Sequence, residues 1–432
     1  MSYATIWRWH FYAGLFCIPL VLWLACTGAI YLWKPQIEAL IDAPYDQLQL
    51  TGPLATPAAQ AMAAVEAVPR SVLRAYELPR SADAATRIIV SQGGEDIRVY
   101  VDPQTTAVMK TVAEEDRLMR IVFKLHGELM MGDWGSHVVE LAASWAIVLI
   151  LSGLFLWWPR GARGAGGLVY PRLNAGRRIF WRDIHAVTGV WVSAFALFML
   201  VSGLPWAAGW GGYLKQVRAL AGVTAKQDWP TGSGGEHAMH RHGGAAMIMP
   251  PPDYAPLDRL VPAAERLGLA PPALLAPPMM RGGAWTLRSD AQNRPQRATL
   301  SLDPASGRVL SRQDFGDHPL IDRIVGYGVA AHEGQLFGLA NQLLGLFTAL
   351  GLVAIAISGT VMWWRRRPPE TLGAPPGVSD FRAGRGFVVL LLILGLLLPA
   401  LGLSLLAVLA TERMLFRRIP ALSRWLGLRA PG

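Results

Sequence analysis

The chain has 432 residues, of which 52% are hydrophobic and only 16% are charged, so its composition excludes an ordinary soluble domain. Its net charge of +10 at pH 7 does not indicate nucleic-acid binding, because the arginines are concentrated in a few short loops. The cysteines are Cys17 and Cys26 alone, and without a CxxCH motif the sequence argues against covalently attached c-type haem.

Five uncharged stretches have the length of a membrane-spanning helix, which needs about 20 apolar residues. They are residues 11–33, 141–159, 184–207, 339–364 and 386–411. Arginines crowd the loops after the second and fourth stretches, and such loops lie in the cytoplasm. The sequence therefore predicts a multi-pass protein of a bacterial inner membrane, embedded in the lipid bilayer with a cytoplasmic N-terminus. The arginines after residue 411 do not fit the rule that arginine-rich segments are cytoplasmic, because a fifth span would place them outside.

The segments outside the membrane combine helical and strand patterns. Residues 57–76 and 256–268 predict helices, and alternating residues around Asp102-Pro103 and Asp303-Pro304 predict strands joined by a turn. We expect a mainly α membrane protein in which a unit of transmembrane helix, periplasmic α+β module and transmembrane helix occurs twice, followed by a fifth C-terminal transmembrane helix. The predicted boundaries are 1–34 (first span), 35–114 (first module), 115–159 (interfacial helix and second span), 160–182 (cytoplasmic loop), 183–207 (third span), 208–325 (second module, with His/Pro/Gly-rich insertions), 326–365 (interfacial segment and fourth span), 366–385 (cytoplasmic loop), 386–411 (fifth span) and 412–432 (C-terminal tail).

The sequence repeats itself without gaps at two offsets. Residues recurring 206 positions later are His126, Ser152-Gly153 and Trp157-Trp158, matched by His332, Ser358-Gly359 and Trp363-Trp364. Residues recurring 175 positions later are His10, Gly14 and Thr27-Gly28, matched by His185, Gly189 and Ser202-Gly203. Because so many matches at a constant offset are improbable by chance, the pattern predicts an internal duplication.

Four of the nine histidines lie at the ends of the first four predicted spans. His10 and His185 begin spans on the cytoplasmic side, whereas His126 and His332 precede spans on the periplasmic side. Two imidazoles from facing helices are the axial ligands of a bis-histidine b-type haem. The sequence therefore predicts two haem b groups, one near each membrane surface.

Glycines on the same helical faces would leave room for a flat macrocycle. A helix returns close to the same face four and eighteen residues after a given position. The residues at these positions are Gly14 and Gly28 after His10, and Gly189 and Gly203 after His185. Eighteen residues span about 27 Å of helix, so Gly28 and Gly203 are expected to clear space for the second haem.

Simpler interpretations compete with ligation. Histidine is common at membrane interfaces, and glycines with this spacing often serve helix packing. The recurrence of the histidines on matching sides favours ligation. His137 is an alternative to His126 because it lies closer to the span, but the position 206 residues later is Leu343.

A further histidine cluster occurs in the second predicted module. His237, His240 and His242, with Met239, have side chains suited to copper, nickel or iron. The flanking Gly-Ser-Gly and Pro-Pro runs fit a solvated, flexible loop equally well. An exposed metal site and a plain linker are both open interpretations of this segment.

Two long stretches resemble a known family. "LHGELMMGDWGSHVVELAASWAIVLILSGLFLWWPR" and "RDIHAVTGVWVSAFALFMLVSGLPW", with the strands at the Asp-Pro turns, are similar to PepSY-associated transmembrane proteins, and the similarity covers residues 7–411. That family includes iron-regulated inner-membrane proteins and ferric-siderophore reductases with haem in the membrane. The resemblance implies that His10, His126, His185 and His332 match the family's recurring histidines. It also implies an electron path from the cytoplasmic side to a periplasmic ferric substrate.

The sequence thus predicts a haem-dependent membrane reductase whose acceptor is a periplasmic ferric siderophore or other metal complex. Its predicted cytoplasmic loops are too short for a nicotinamide or flavin site, so the expected electron donor is quinol or a separate cytoplasmic reductase. The alternative is a non-enzymatic, membrane-anchored PepSY protein that binds or regulates a periplasmic partner such as a protease. A transporter is less favoured, because ionisable residues are nearly absent from the predicted mid-membrane positions.

Overall fold

The protein combines a bundle of long apolar helices with an eight-stranded β-sheet. The computed structural model describes residues 3–159, 164–220, 222, 253–278, 282–375 and 385–428. Its helices are α1 Tyr3–Tyr31, α2 Lys34–Asp46, α3 Pro57–Ala67, α4 Leu118–Gly127, α5 Asp133–Trp157, α6 Arg177–Gly203, α7 Ala208–Leu220, α8 Leu257–Glu265, α9 Leu320–His332, α10 Leu339–Arg366, α11 Arg385–Leu397, α12 Pro399–Thr411 and α13 Pro420–Trp425. Its strands are β1 Val72–Glu77, β2 Thr86–Gln92, β3 Glu95–Val101, β4 Val108–Ala113, β5 Ala273–Ala276, β6 Trp285–Ser289, β7 Ala298–Leu302 and β8 Val309–Asp314.

Long apolar helices make the chain a multi-pass membrane protein. Five helical segments of the described chain have the length and hydropathy to cross a bilayer: Tyr3–Tyr31, Asp133–Trp157, Arg177–Trp206, Leu339–Arg366 and Pro399–Phe416. The first four form a closed ring, in which α1 and α6 each pack against both α5 and α10. Glycine permits the tightest of these contacts, because a Cβ on Gly351 of α10 would lie 2.4 Å from Cγ1 of Val192 on α6.

The strands form one antiparallel sheet in the order β4-β3-β2-β1-β5-β6-β7-β8. The two central strands, β1 and β5, pair through Tyr76 with Leu275 and Glu77 with Leu274, and the N–H of Leu78 donates to the Ala273 carbonyl. On one face, alternating apolar side chains of both halves of the sheet pack against α3 and α8 in a shared core. The segments predicted as separate modules therefore share one sheet and one core.

The helix predicted over residues 57–76 ends earlier than the sequence pattern indicated. Thr56 caps α3 by accepting the backbone N–H of Ala59, and Pro57 occupies the first turn. The helix stops at Ala67 because Pro69 follows two residues later, and a residue before proline disfavours the helical conformation. Of the remaining residues of the predicted helix, 68–71 form a turn and 72–76 belong to β1.

Buried ion pairs hold the other face of the sheet against α2. Arg87 on β2 contacts both Asp42 and Asp46, and its side chain is only 2% exposed. Arg117, immediately before α4, pairs with Glu38. Because α2 follows α1 directly, these contacts place the sheet over one end of the helix bundle, which we call the sheet side.

The fifth apolar stretch is two helices rather than the single predicted span of residues 386–411. Leu398, between α11 and α12, has φ −126° and ψ 81°, and Pro399 begins the second helix. Proline lacks the N–H that would continue α11 and restricts the residue before it, so the helix breaks there. The helices then fold back on each other, since a Cβ on Gly402 would lie 2.9 Å from the Gly395 carbonyl oxygen.

This reversal returns the C-terminal segment to the end of the bundle at which α1 begins, the Arg8 side. The Arg8 guanidinium donates to the carbonyls of Pro375 and Gly427, and the Tyr12 hydroxyl donates to the carbonyl of Leu426. The expectation that arginines after residue 411 lie across the membrane from the N-terminus is therefore wrong for this segment. A straight helix was assumed where the chain turns back.

Candidate functional site

A cavity of about 820 Å³ runs between the four helices of the ring. Its volume lies in the range of about 300–1,000 Å³ that is usual for sites that bind small molecules and cofactors. The cavity is lined by all eight residues that the sequence assigned to haem, namely His10, His126, His185, His332, Gly14, Gly28, Gly189 and Gly203. The rest of the wall is mainly apolar, so a largely hydrophobic ligand is favoured.

The four histidines form two pairs within this cavity. The ring centres of His10 and His185 are 6.4 Å apart, with their planes at 89°. Those of His126 and His332 are also 6.4 Å apart, with their planes at 76°. A metal–nitrogen bond is about 2.0–2.1 Å long, and the nitrogen lies about 1.1 Å from the centre of its ring. Two imidazoles on opposite sides of one ion therefore have ring centres about 6.3 Å apart. Each pair therefore has the spacing of two ligands of one metal ion.

The Nδ1 atom of each histidine hydrogen-bonds to another helix. The distances are 2.9 Å from His10 to Ser152 Oγ, 3.0 Å from His126 to Thr27 Oγ1, 3.0 Å from His332 to Ser202 Oγ, and 3.0 Å from His185 to the Ile355 carbonyl oxygen, with Ser358 Oγ at 3.3 Å. A carbonyl oxygen only accepts, so the proton of His185 is on Nδ1. Each imidazole is thus oriented by a neighbour on its Nδ1 side.

The hydroxyl groups assign the same tautomer to the other histidines. Ser152, Thr27 and Ser202 donate their own hydrogens to carbonyl oxygens one turn earlier, at 3.2, 2.8 and 2.7 Å respectively. Their oxygens therefore accept from the imidazole Nδ1–H groups. The Nε2 atom of each ring is left with its lone pair, which is the form in which imidazole binds metals.

A glycine follows each hydroxyl residue and leaves space for the ring. A Cβ on Gly28 would lie 3.0 Å from Cε1 of His126, and one on Gly203 would lie 3.4 Å from Cε1 of His332. The corresponding distances are 3.2 Å from Gly153 to His10 and 3.3 Å from Gly359 to His185. From the sequence, Gly153, Gly359 and the four hydroxyl residues were interpreted only as evidence of an internal repeat. Each hydroxyl residue is followed directly by a glycine, and each such pair recurs at a constant offset, which was the signal for a shared role.

The two pairs lie at different depths. His10 is 17 residues before Thr27, the partner of His126, and this separation corresponds to about 25 Å along α1. The pair of His10 and His185 lies toward the Arg8 side, and the pair of His126 and His332 lies toward the sheet side. One cavity therefore contains two separate candidate sites.

The sheet-side pair is neutral at physiological pH. Burial lowers the pKa of His126 to about 4. Burial, and next the neighbouring His126, lower the pKa of His332 to about 4. Both rings therefore remain uncharged near neutral pH, which is the state required of a metal ligand.

Comparison with known proteins gives the family of the chain. The model of the PepSY-associated TM region matches residues 7–366, well over half of the sequence. The chain belongs to the PepSY-associated transmembrane family. The resemblance inferred from the two quoted stretches is confirmed, and all four cavity histidines lie within the matched region of this family member. A search of curated proteins finds no match to the chain.

The other candidate histidines of this PepSY-associated protein lie elsewhere. The His137 side chain is 53% exposed, and its Nδ1 is 3.9 Å from the Glu140 carboxylate. The structure thus brings His126, and not His137, to His332. The predicted exposed metal site of His237, His240 and His242 lies outside the described residues.

Replacing Gly28 with alanine is expected to destabilise the protein by about 1–3 kcal/mol, because the added methyl group crowds the His126 ring. The matched control is Gly212→Ala on α7, since no atom lies within 4 Å of a Cβ at that position and the residue does not line the cavity. Thermal unfolding of both purified variants in detergent measures the difference. Equal stability of the two variants would show that the ring does not lie against Gly28.

Proposed function

We propose that the chain is a di-haem b reductase of the bacterial inner membrane. It would carry electrons from the cytoplasmic side to a periplasmic ferric siderophore or another metal complex. The observation that carries this proposal is the geometry of the two histidine pairs. In each pair the ring centres are 6.4 Å apart, and the hydrogen bonds on Nδ1 leave Nε2 available for a metal.

The ligand set of each pair suits haem better than a bare ion. Among the described residues, no three His, Cys, Asp or Glu side chains are grouped to hold a metal. An ion bound by two imidazoles therefore requires further ligands, and a porphyrin would supply four nitrogen ligands. The apolar wall, with glycine at positions 14 and 189, accommodates such a flat ring.

Internal duplication of the chain is part of this proposal. The hydroxyl–glycine pairs contact histidines at corresponding positions of both halves. The four strands of each half lie on either side of the β1–β5 junction. Gly132 and Gly338, which are 206 positions apart, have φ values of 60° and 59° and precede α5 and α10. The same helix-entry turn thus occurs twice, as expected if one unit had been copied.

The arginines support a cytoplasmic assignment for the Arg8 side. The segment that contains α13, with Arg424, contacts the residues around Arg8, and the α10 end with Arg365 and Arg366 lies on the same side. Positive residues are enriched in short cytoplasmic loops of membrane proteins. We therefore place the sheet in the periplasm and the pair of His10 and His185 near the cytoplasm.

The residues of the chain have separate tasks in this function. A bound haem supplies a one-electron iron couple. The histidines would hold it, the serine and threonine hydroxyls fix the direction of each imidazole, and the apolar side chains exclude water. The electron donor is a quinol or a separate cytoplasmic reductase, as expected from the short loops on the Arg8 side.

The haem content of the purified full-length protein tests the proposal. We expect two b-type haems per chain by the pyridine haemochrome assay, with a spectrum that changes on reduction by dithionite. Mixing the reduced protein anaerobically with a ferric siderophore should then restore the oxidised spectrum faster than buffer alone. Protein that folds without haem would exclude a reductase and leave the non-enzymatic role of a PepSY anchor.

A further inference from the structure

We propose that arginines at the two ends of the cavity bind the carboxylates of the haems, with Arg294 acting on the sheet side and Arg366 on the Arg8 side. This inference rests on the proposed function and deepens it, because it assigns the orientation of each haem. Haem b carries two carboxylates on one edge, and its opposite edge is apolar. The chemistry to be recognised is therefore an anionic edge on an otherwise hydrophobic ligand.

Arg294 reaches the cavity from the sheet rather than from the helix bundle. It begins the short turn Arg294–Gln296 between β6 and β7, is only 5% exposed, and lines the cavity. Its guanidinium carbon lies 4.7 Å from the ring centre of Trp206. Trp206 is three residues after Gly203, the residue that faces His332. Arg294 therefore lies about one helical turn beyond the sheet-side pair, toward the membrane surface.

The turn that begins with Arg294 packs against the same helix that carries His332. A Cβ on Gly326 of α9 would lie 3.8 Å from the Cβ of Arg294. The other charged side chains that line the cavity on this side are acidic, and all of them would repel a carboxylate: Glu128, Glu140 and Glu333. A guanidinium stays charged when buried and presents a planar pair of donors that matches a carboxylate. Arg294 is thus the group there that attracts an anionic edge.

Arg366 occupies a corresponding place at the other end of the cavity, where the second lining arginine, Arg182, is paired with Asp183. It is seven residues after Gly359, which faces His185, and seven residues return to nearly the same face about 10 Å further along a helix. Its guanidinium carbon lies 5.0 Å from the ring centre of Trp7, one turn before His10. Each histidine pair therefore has a cavity-lining arginine on the side of the nearer membrane surface.

With Arg294 and Arg366 holding the carboxylates, the two haems would have opposite orientations. Their carboxylate edges would face the two membrane surfaces, and their apolar edges would face each other. Between the two pairs the cavity wall includes Leu24, Val192 and Leu352. The charges are thereby kept out of the middle of the membrane, where an ionised group is most costly.

Haem retention and midpoint potential in the full-length protein test the inference. We expect Arg294→Gln to speed the loss of one haem to apomyoglobin about tenfold, as for a lost charge-assisted hydrogen bond, and to lower the potential of that haem. The same change is expected for the other haem in Arg366→Gln. Arg297→Gln and Arg365→Gln are the controls, because neither residue lines the cavity. Arg294→Lys keeps the positive charge and should therefore lose haem more slowly than Arg294→Gln.

Replacing haem b with its dimethyl ester identifies the anion. If Arg294 contacts a haem carboxylate, wild type that carries the ester should lose it as fast as Arg294→Gln loses haem b. In protein that carries the ester, Arg294→Gln should then cause no further increase in the rate of loss. An equal effect of Arg294→Gln with haem and with ester would overturn the inference. The inference would also be overturned if Arg294→Gln retained haem normally but was oxidised more slowly by a carboxylate-bearing ferric chelate. That result would show that Arg294 binds the electron acceptor instead of a haem carboxylate. Absence of haem from wild type would instead contradict the proposed function.

Discussion

Replacement of His332 by alanine is expected to remove the sheet-side haem and to leave the other haem in place. The ring of His332 is 6.4 Å from that of its partner His126, and no third histidine of the described residues lines the cavity at this end. The second pair lies about 25 Å away along the bundle, so its ligands are unaffected. The haem-to-protein ratio should fall from two to one, with the spectrum of the remaining haem unchanged.

Two further variants make this result specific. His10→Ala should remove the haem of the Arg8 side, so that the spectra of the two single variants together reproduce the wild-type spectrum. His137→Ala should retain both haems, because its ring is half exposed and lies toward Glu140. Retention of two haems in His332→Ala would show that His332 is not a haem ligand. Loss of one haem in His137→Ala would show that His137 is a ligand.

Replacement of Asp322 by alanine is expected to lower stability by about 3–5 kcal/mol, the cost of breaking a buried ion pair. Asp322 on α9 accepts two hydrogen bonds from Arg218 on α7, and these side chains are 1% and 7% exposed. The substitution removes the carboxylate but leaves a guanidinium that cannot lose its charge. Because α9 also carries His332, thermal melting should release the sheet-side haem at a lower temperature than the other.

A double variant separates charge from packing. Arg218→Met combined with Asp322→Leu replaces the pair with apolar side chains, and buried pairs replaced in this way often keep or regain stability. We expect the double variant to be more stable than Asp322→Ala alone. A double variant less stable than the single one would show that the pair contributes through its hydrogen bonds to further groups and not through the balance of two buried charges.

The spans and the histidine pairs were predictable because each depends on local or repeated features. The length of an apolar run can be compared directly with the thickness of the bilayer. The constant offset between the repeats relates residues that are far apart in the chain, without knowledge of the fold. The orienting residues were not predictable in the same way. The contact of Thr27 with His126 depends on the packing of α1 against α4, which no periodicity in either segment specifies.

The remaining differences have physical causes that act over longer distances. The pairing of Tyr76 with Leu275 joins segments about 200 residues apart in the chain, so alternation within each segment predicted the strands but not their common sheet. The break at Leu398 follows from Pro399, but hydropathy alone treats residues 386–411 as one run. The fold of that hairpin depends on the close approach of Gly395 and Gly402.

The junction between β1 and β5 has a consequence for biogenesis. During synthesis, β1 is completed long before β5, and until β5 is made it has one unsatisfied backbone edge, which is the type of surface that promotes aggregation. The first half of the sheet can therefore complete its folding only after α6 has been inserted and the second half has been delivered to the same side. The order of translation thus leaves the N-terminal half with an open sheet edge until its own C-terminal half has been made.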